Sequence, residues 1–289
     1  MRACFLWDYF GSILMDRGDR EAWTGDAHPA QAAVRARPLA DDACRWAGVS
    51  QRYGAVRQAL VAFHNLDFIK RNLASSIHGS GNGIPTYQCY WVLSVMDFYH
   101  YTGDTGVLAD NRAEVASLLG GLVKRTLPLQ KGQPGLGFVG WDDRTGAGFS
   151  NSSCVECEHD YRFILLRTLN ESAVAYKSLN ASFAATLAAD AASLAKALRG
   201  DTAAGQPWHT ALLLPSASDA VNSGLATKEE QAALHARLFS DPLTICQLSP
   251  FNTYWTLQAL GRMGKAEQAL FVLRNCYGGM IALGATTFW

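Results

Sequence analysis

The apolar positions fall into long runs with helical spacing, and no segment shows the strict alternation of a half-buried strand. Residues 83–101 (GIPTYQCYWVLSVMDFYHY) are apolar nearly all the way round, the pattern of a helix buried on most sides. Thr102-Gly103-Asp104 follows, a stop and then an N-cap, so the next helix is predicted over about 105–126. Residues 157–177 and 179–199 form a second pair, the latter Ala-rich and ended by Gly200. Thr227-Lys-Glu-Glu230 is a capping-box pattern that opens a helix over 227–239. Residues 251–263 and 265–276 make a further pair, broken at Gly264. About ten helices in hairpin succession predict an all-α toroid or array in one domain spanning 1–289.

One block interrupts this pattern. Val34–Gln58 carries five Arg and no Lys. The flanking pieces, residues 28–33 and 59–73, read better joined, placing Ala33, Val61, Phe63, Phe68 and Ile69 on one continuous helical stretch. The block fits a surface insertion loop. It also fits a retained intron, because every Val codon begins GT and a Gln codon can be CAG.

Composition narrows the function classes. The 289 residues include 25 Lys+Arg against 25 Asp+Glu, so no chain-wide basic footprint exists for nucleic acid or an anionic membrane. No run of 18 apolar residues suggests a membrane span. The N-terminal apolar stretch is broken by Asp8 and lacks a small-residue cleavage site, unlike a signal peptide. Seven scattered Cys in a chain this size predict no disulfide scaffold. Cys154-Val-Glu-Cys157-Glu-His159-Asp160 has the look of half a metal site, but no second ligand pair accompanies it, and no metal is expected. GxxxxGK[ST], GxSxG and HExxH motifs are all missing, so P-loop nucleotide, α/β-hydrolase and zincin chemistry lack their parts and no cofactor is expected.

The densest polar cluster is Asp16-Arg17-Gly18-Asp19-Arg20-Glu21-Ala22-Trp23-Thr24-Gly25-Asp26. Acids interleaved with Arg can hold one carboxylate ionised and another protonated, as glycoside hydrolysis requires, and Trp offers a platform for a sugar ring. A solvated loop with ordinary ion pairs accounts for the same composition. Gly137-Phe-Val-Gly-Trp141-Asp142-Asp143-Arg144 is a second aromatic–acid loop, suited to sugar hydroxyls or to a tight turn with Asp caps.

Together these stretches resemble the six-hairpin catalytic domain of bacterial-type α-L-rhamnosidases, glycoside hydrolase family 78. The resemblance rests on Arg17–Asp26, on YWVLSVMDFYHYTGD at 90–104, on the SPF segment at 249–251 with Tyr254, and on GATTFW at 284–289. It implies an (α/α)6 barrel, incomplete here, and inverting hydrolysis of terminal α-L-rhamnosides by an acid–base carboxylate pair about 6.5–9.5 Å apart. By the same resemblance Asp19 stands at the general acid, with Glu21 as a fallback. Arg17, Trp23, Asp26, Trp91, Trp141, Asp142 and Asp143 stand at substrate-contacting positions. The family's general base is the Glu that would come directly after Trp289, and its β-sandwich domains have no counterpart. The resemblance therefore implies a fragment, truncated at both ends, inactive or nearly so as it stands. A rhamnose- or sugar-binding pseudoenzyme on the same barrel is the alternative. The partner in either case is a rhamnose-containing glycan or glycoside.

Overall fold

A computed structural model describes residues 66, 67, 69, 70, 73, 85–129, 155–201 and 206–284. Among them the chain forms α1 (Pro85–Thr102), α2 (Thr105–Thr126), α3 (Val155–Tyr176), α4 (Ala181–Gly200) and α5 (Leu214–Asn222). It continues with α6 (Lys228–Leu234), which runs into a π-helical turn at His235–Phe239, then α7 (Pro242–Ile245), α8 (Pro250–Arg262) and α9 (Ala266–Ala282). The described residues contain no strand.

The helices form two layers. α1 packs on α3, α3 on α5, and α5 on α8, while α2, α4 and α9 each pack behind the preceding member of that series. The pattern is a row of αα-hairpins with one inner and one outer helix each, the architecture of an all-α toroid. Burial follows the layers. All nine residues of α5 are buried, and α1 is buried along Cys89–Phe98. The outer helices bury only a stripe: Val107, Leu108, Asn111, Val115, Leu119 and Leu122 in α2, and Ala184, Leu187, Ala191, Leu194 and Leu198 in α4. Three-to-four spacing puts each set on one helix face, and every Leu or Val so buried stabilises the fold by about 1.5–3 kcal/mol.

Local chemistry sets the helix ends. Gly103, at φ 72°, takes the left-handed position after α1 and donates its N–H to the Tyr99 carbonyl at 2.8 Å. Asp104 then caps α2. Its Oδ1 accepts from the Gly106 N–H at 2.8 Å and its Oδ2 from Lys70 Nζ at 2.9 Å, which ties α2 to the helical residues before α1. The Thr227–Glu230 capping box is formed in both directions. Asn180 caps α4 through the Phe183 N–H at 3.0 Å. The sequence pattern did not signal the short helices α5 and α7, although each carries a Pro in its first turn.

Cysteine pairing corrects one expectation. Cys246, which ends α7, is disulfide-bonded to Cys276 in α9, across 30 residues of sequence. Cys157 in α3 is also disulfide-bonded, so it offers no thiolate to a metal. Cys89 is free and buried, and its thiol is pushed up to about 12 by burial. These bonds supplement a continuous hydrophobic core and do not replace it. The irregular block Val34–Gln58 lies outside the described residues.

Candidate functional site

The inner helices converge on an aromatic and carboxylate cluster. Tyr90 of α1 stacks on Trp255 of α8, with ring centroids 5.3 Å apart and planes 12° from parallel. Phe251 meets both rings edge-on, at 6.1 Å from Tyr90 and 6.3 Å from Trp255. Helices on opposite flanks of the inner layer thus touch through aromatic side chains, each pair contributing beyond its buried area.

Arg167 of α3 lies with its guanidinium 5.3 Å from the centroid of the Trp255 ring. It donates to Gln258 at 3.0 Å, so one cation joins α3 to α8 through a hydrogen bond and a cation–π contact, and within α3 it donates to Glu171 at 2.8 Å. Glu171 also accepts from Arg262 at 3.2 Å.

Five acids of the inner helices are buried, Asp97, Glu156, Glu158, Asp160 and Asp219. Asp219 of α5 is buried, and burial pushes its carboxyl up to about 7, offset only in part by the nearby Arg167 and Asn222. The charge of Glu156 adds to that rise. Asp219 Oδ1 has no hydrogen-bond partner among the described residues. Glu156, near the start of α3, is also raised by burial. Its oxygens accept the backbone N–H groups of Leu213 at 3.3 Å and Ser216 at 3.1 Å, so it binds the N-terminal end of α5, where the helix dipole favours an anion. Asp160 is buried and, with Asp219, holds the Tyr90 hydroxyl high in addition to the effect of burial.

A carboxyl that keeps its proton near neutral pH beside ionisable neighbours can donate a hydrogen bond or a proton; the aromatic rings beside it are themselves buried and pack the inner helices together. Sequence reading set Glu156 and Asp160 aside with the metal-like stretch Cys154–Asp160 and missed Asp219. The available signal was the run of polar residues, Ser216, Ser218, Asp219 and Asn222, inside a segment with apolar flanks.

The sites expected from sequence fare differently. Arg17, Asp19, Glu21, Trp23, Asp26, Trp141, Asp142 and Asp143 lie outside the described residues. Trp91 is described. It is fully buried and donates its indole N–H to the Leu73 carbonyl at 3.2 Å. A ring with no exposed surface has no face to offer a sugar, so Trp91 anchors the core between α1 and the preceding helical residues. Among the described residues no group of three or more His, Cys, Asp or Glu could hold a metal ion. No helix among them is long and apolar enough to cross a membrane.

Comparison with known proteins bears on the fold. No protein-family model matches the chain, and no curated protein sequence does. Among solved structures, a rhamnosidase from Klebsiella oxytoca with rhamnose bound matches 94% of this chain with a TM-score of 0.62 at 13% identity. The fold is rhamnosidase-like. The chain covers 52% of the length of that rhamnosidase, about half. The two-layered helical toroid is therefore shared with a sugar-bound enzyme although only one residue in eight or so is the same.

Proposed function

We propose that this chain is a glycoside-hydrolase domain directed at terminal α-L-rhamnosides. The observation that carries the proposal is the match of 94% of the chain to a rhamnosidase with rhamnose bound. The acid- and Trp-rich stretch Arg17–Asp26 supports it independently, since it supplies the residue types an inverting glycosidase uses. In this reading Asp19 protonates the leaving oxygen, with Glu21 in reserve. Trp23 and Trp141 form the aromatic walls, and Arg17, Asp26, Asp142 and Asp143 hold the sugar hydroxyls. A carboxylate on the opposite side of the sugar activates the attacking water.

The test is ligand binding followed by turnover. A ligand that binds only the folded state raises its stability by RT ln(1+[L]/Kd). L-Rhamnose at millimolar concentration is expected to raise the melting temperature, D-glucose to leave it unchanged, and Trp23→Ala with Asp26→Ala to abolish the shift. Release of nitrophenol from an aryl α-L-rhamnoside, lowered about 10²–10⁴-fold in Asp19→Asn, identifies an enzyme. Rhamnose binding with no turnover identifies a sugar-binding module on the same fold. Absence of any rhamnose-specific shift refutes the sugar role.

A further inference from the structure

The outer helices differ in what they show to solvent. α2 exposes mainly small and polar residues such as Arg112, Ser117 and Lys124, and α4 exposes Ala185, Ala188, Ala192 and Lys196. α9 exposes Leu270 and Phe271 at 51% each, Leu273 at 41% and Ile281 at 64%. At 100° per residue, Leu270, Arg274, Tyr277 and Ile281 fall on one strip of α9, flanked by Phe271, Leu273 and Glu267. The inward side is already occupied. Val272 is buried, Cys276 is bonded to Cys246, and Gln268 donates to the Phe239 carbonyl and bonds His235 at 2.8 Å. The apolar strip is thus the outer face of a helix whose inner face is fully engaged, and contiguous exposed apolar residues of this kind mark interaction surfaces.

Charge on the strip identifies the occupant. Glu267 and Arg274 are both exposed and make no ion pair among the described residues. They stand seven residues apart, about 10.5 Å along the helix, with Leu270 and Phe271 midway between them. A two-fold axis through that midpoint, perpendicular to the helix, sets two α9 helices antiparallel. Leu270 then faces the second copy's Phe271, and each Glu267 faces an Arg274. An isologous contact requires one surface patch to complement itself, and this arrangement does so in both shape class and sign. A lipid surface would instead favour a rim of Lys and Arg, whereas this rim carries one acid and one base and the whole chain has zero net charge.

We propose that α9 is a homodimer interface, in which two copies pack antiparallel across Leu270 and Phe271 with reciprocal Glu267–Arg274 pairs. Light scattering coupled to size exclusion, run on the full chain over a dilution series, should give twice the 31.4 kDa chain mass at the higher concentrations. Leu270→Asp with Phe271→Asp should return the monomer mass. Glu267→Arg and Arg274→Glu should each weaken association by about tenfold or more, because each places like charges opposite one another. The double reversal should restore it. All three charge variants alter exposed side chains only, so their circular dichroism and melting temperature in dilute solution should match the parent. A monomer at every concentration overturns the proposal. So does a dimer indifferent to the α9 substitutions, or a double reversal no better than the singles.

Discussion

Asp219 offers the sharpest measurable consequence of this fold. Its carboxyl ordinarily titrates at 3.8, and burial in α5 raises it to about 7. The unfolded chain therefore ionises Asp219 above 3.8, while the folded chain holds the proton until about 7. Stability from this group is complete below the unfolded value and is lost as pH rises through that window, at about 1.4 kcal/mol per unit. The whole interval of about three units is worth about 4 kcal/mol. Asp219→Asn keeps the shape and removes the titration. Urea unfolding of both proteins at about pH 5 and about pH 8 reads the titration of Asp219 together with its coupling to Glu156, while the shift of His159 remains in both and cancels. The difference in unfolding free energy between parent and variant should move by about 3 kcal/mol over that interval, with the variant gaining on the parent as pH rises. Identical pH slopes would show that Asp219 is hydrated or ionised in the folded chain, and would refute the burial argument.

Other substitutions probe separate features. Trp91→Ala should lower stability by about 3–5 kcal/mol through loss of a buried ring, while Trp91→Phe should leave rhamnose affinity unchanged, as calorimetry would show. Cys246→Ser with Cys276→Ser opens a 30-residue loop and should cost about 3–4 kcal/mol in chemical denaturation. Thr227→Ala removes one half of the α6 capping box and should cost about 1 kcal/mol. At Glu230, burial raises the carboxyl, but bonds from Arg199, the Thr227 N–H and Trp208 outweigh it and hold it down to about 2. Its contribution is present above 4.5 and lost as pH falls through about 2, so Glu230→Gln should flatten the acid limb of a pH–stability curve.

The functional and structural readings of a residue part company at Trp91. In the sequence it sits in an aromatic-rich helix and matches a wall position by resemblance. In the fold that helix is an inner one, and its rings divide between core and interior. Tyr90 reaches the Trp255 stack, whereas Trp91, one residue and 100° further round, turns toward Leu73. The acidic motif at Arg17–Asp26 was visible by composition, while Asp219 was not, because an isolated acid in a helix is ordinarily a solvated one.

The amino-acid sequence alone determined the helical class, the hairpin succession and most helix ends. Those signals are local: Gly103, Asp104, Thr227 and Gly264 act on backbone groups within three or four residues of themselves. It also showed that α1 is buried on nearly every side. Tertiary structure alone decided which helices form the inner layer, which cysteines bond, and which carboxyl loses its water. Tyr90 and Trp255 are 165 positions apart, and Glu156 binds the start of α5 across 60. Contacts at that separation follow from how successive hairpins curve round a common interior, and neither propensity nor periodicity carries that information.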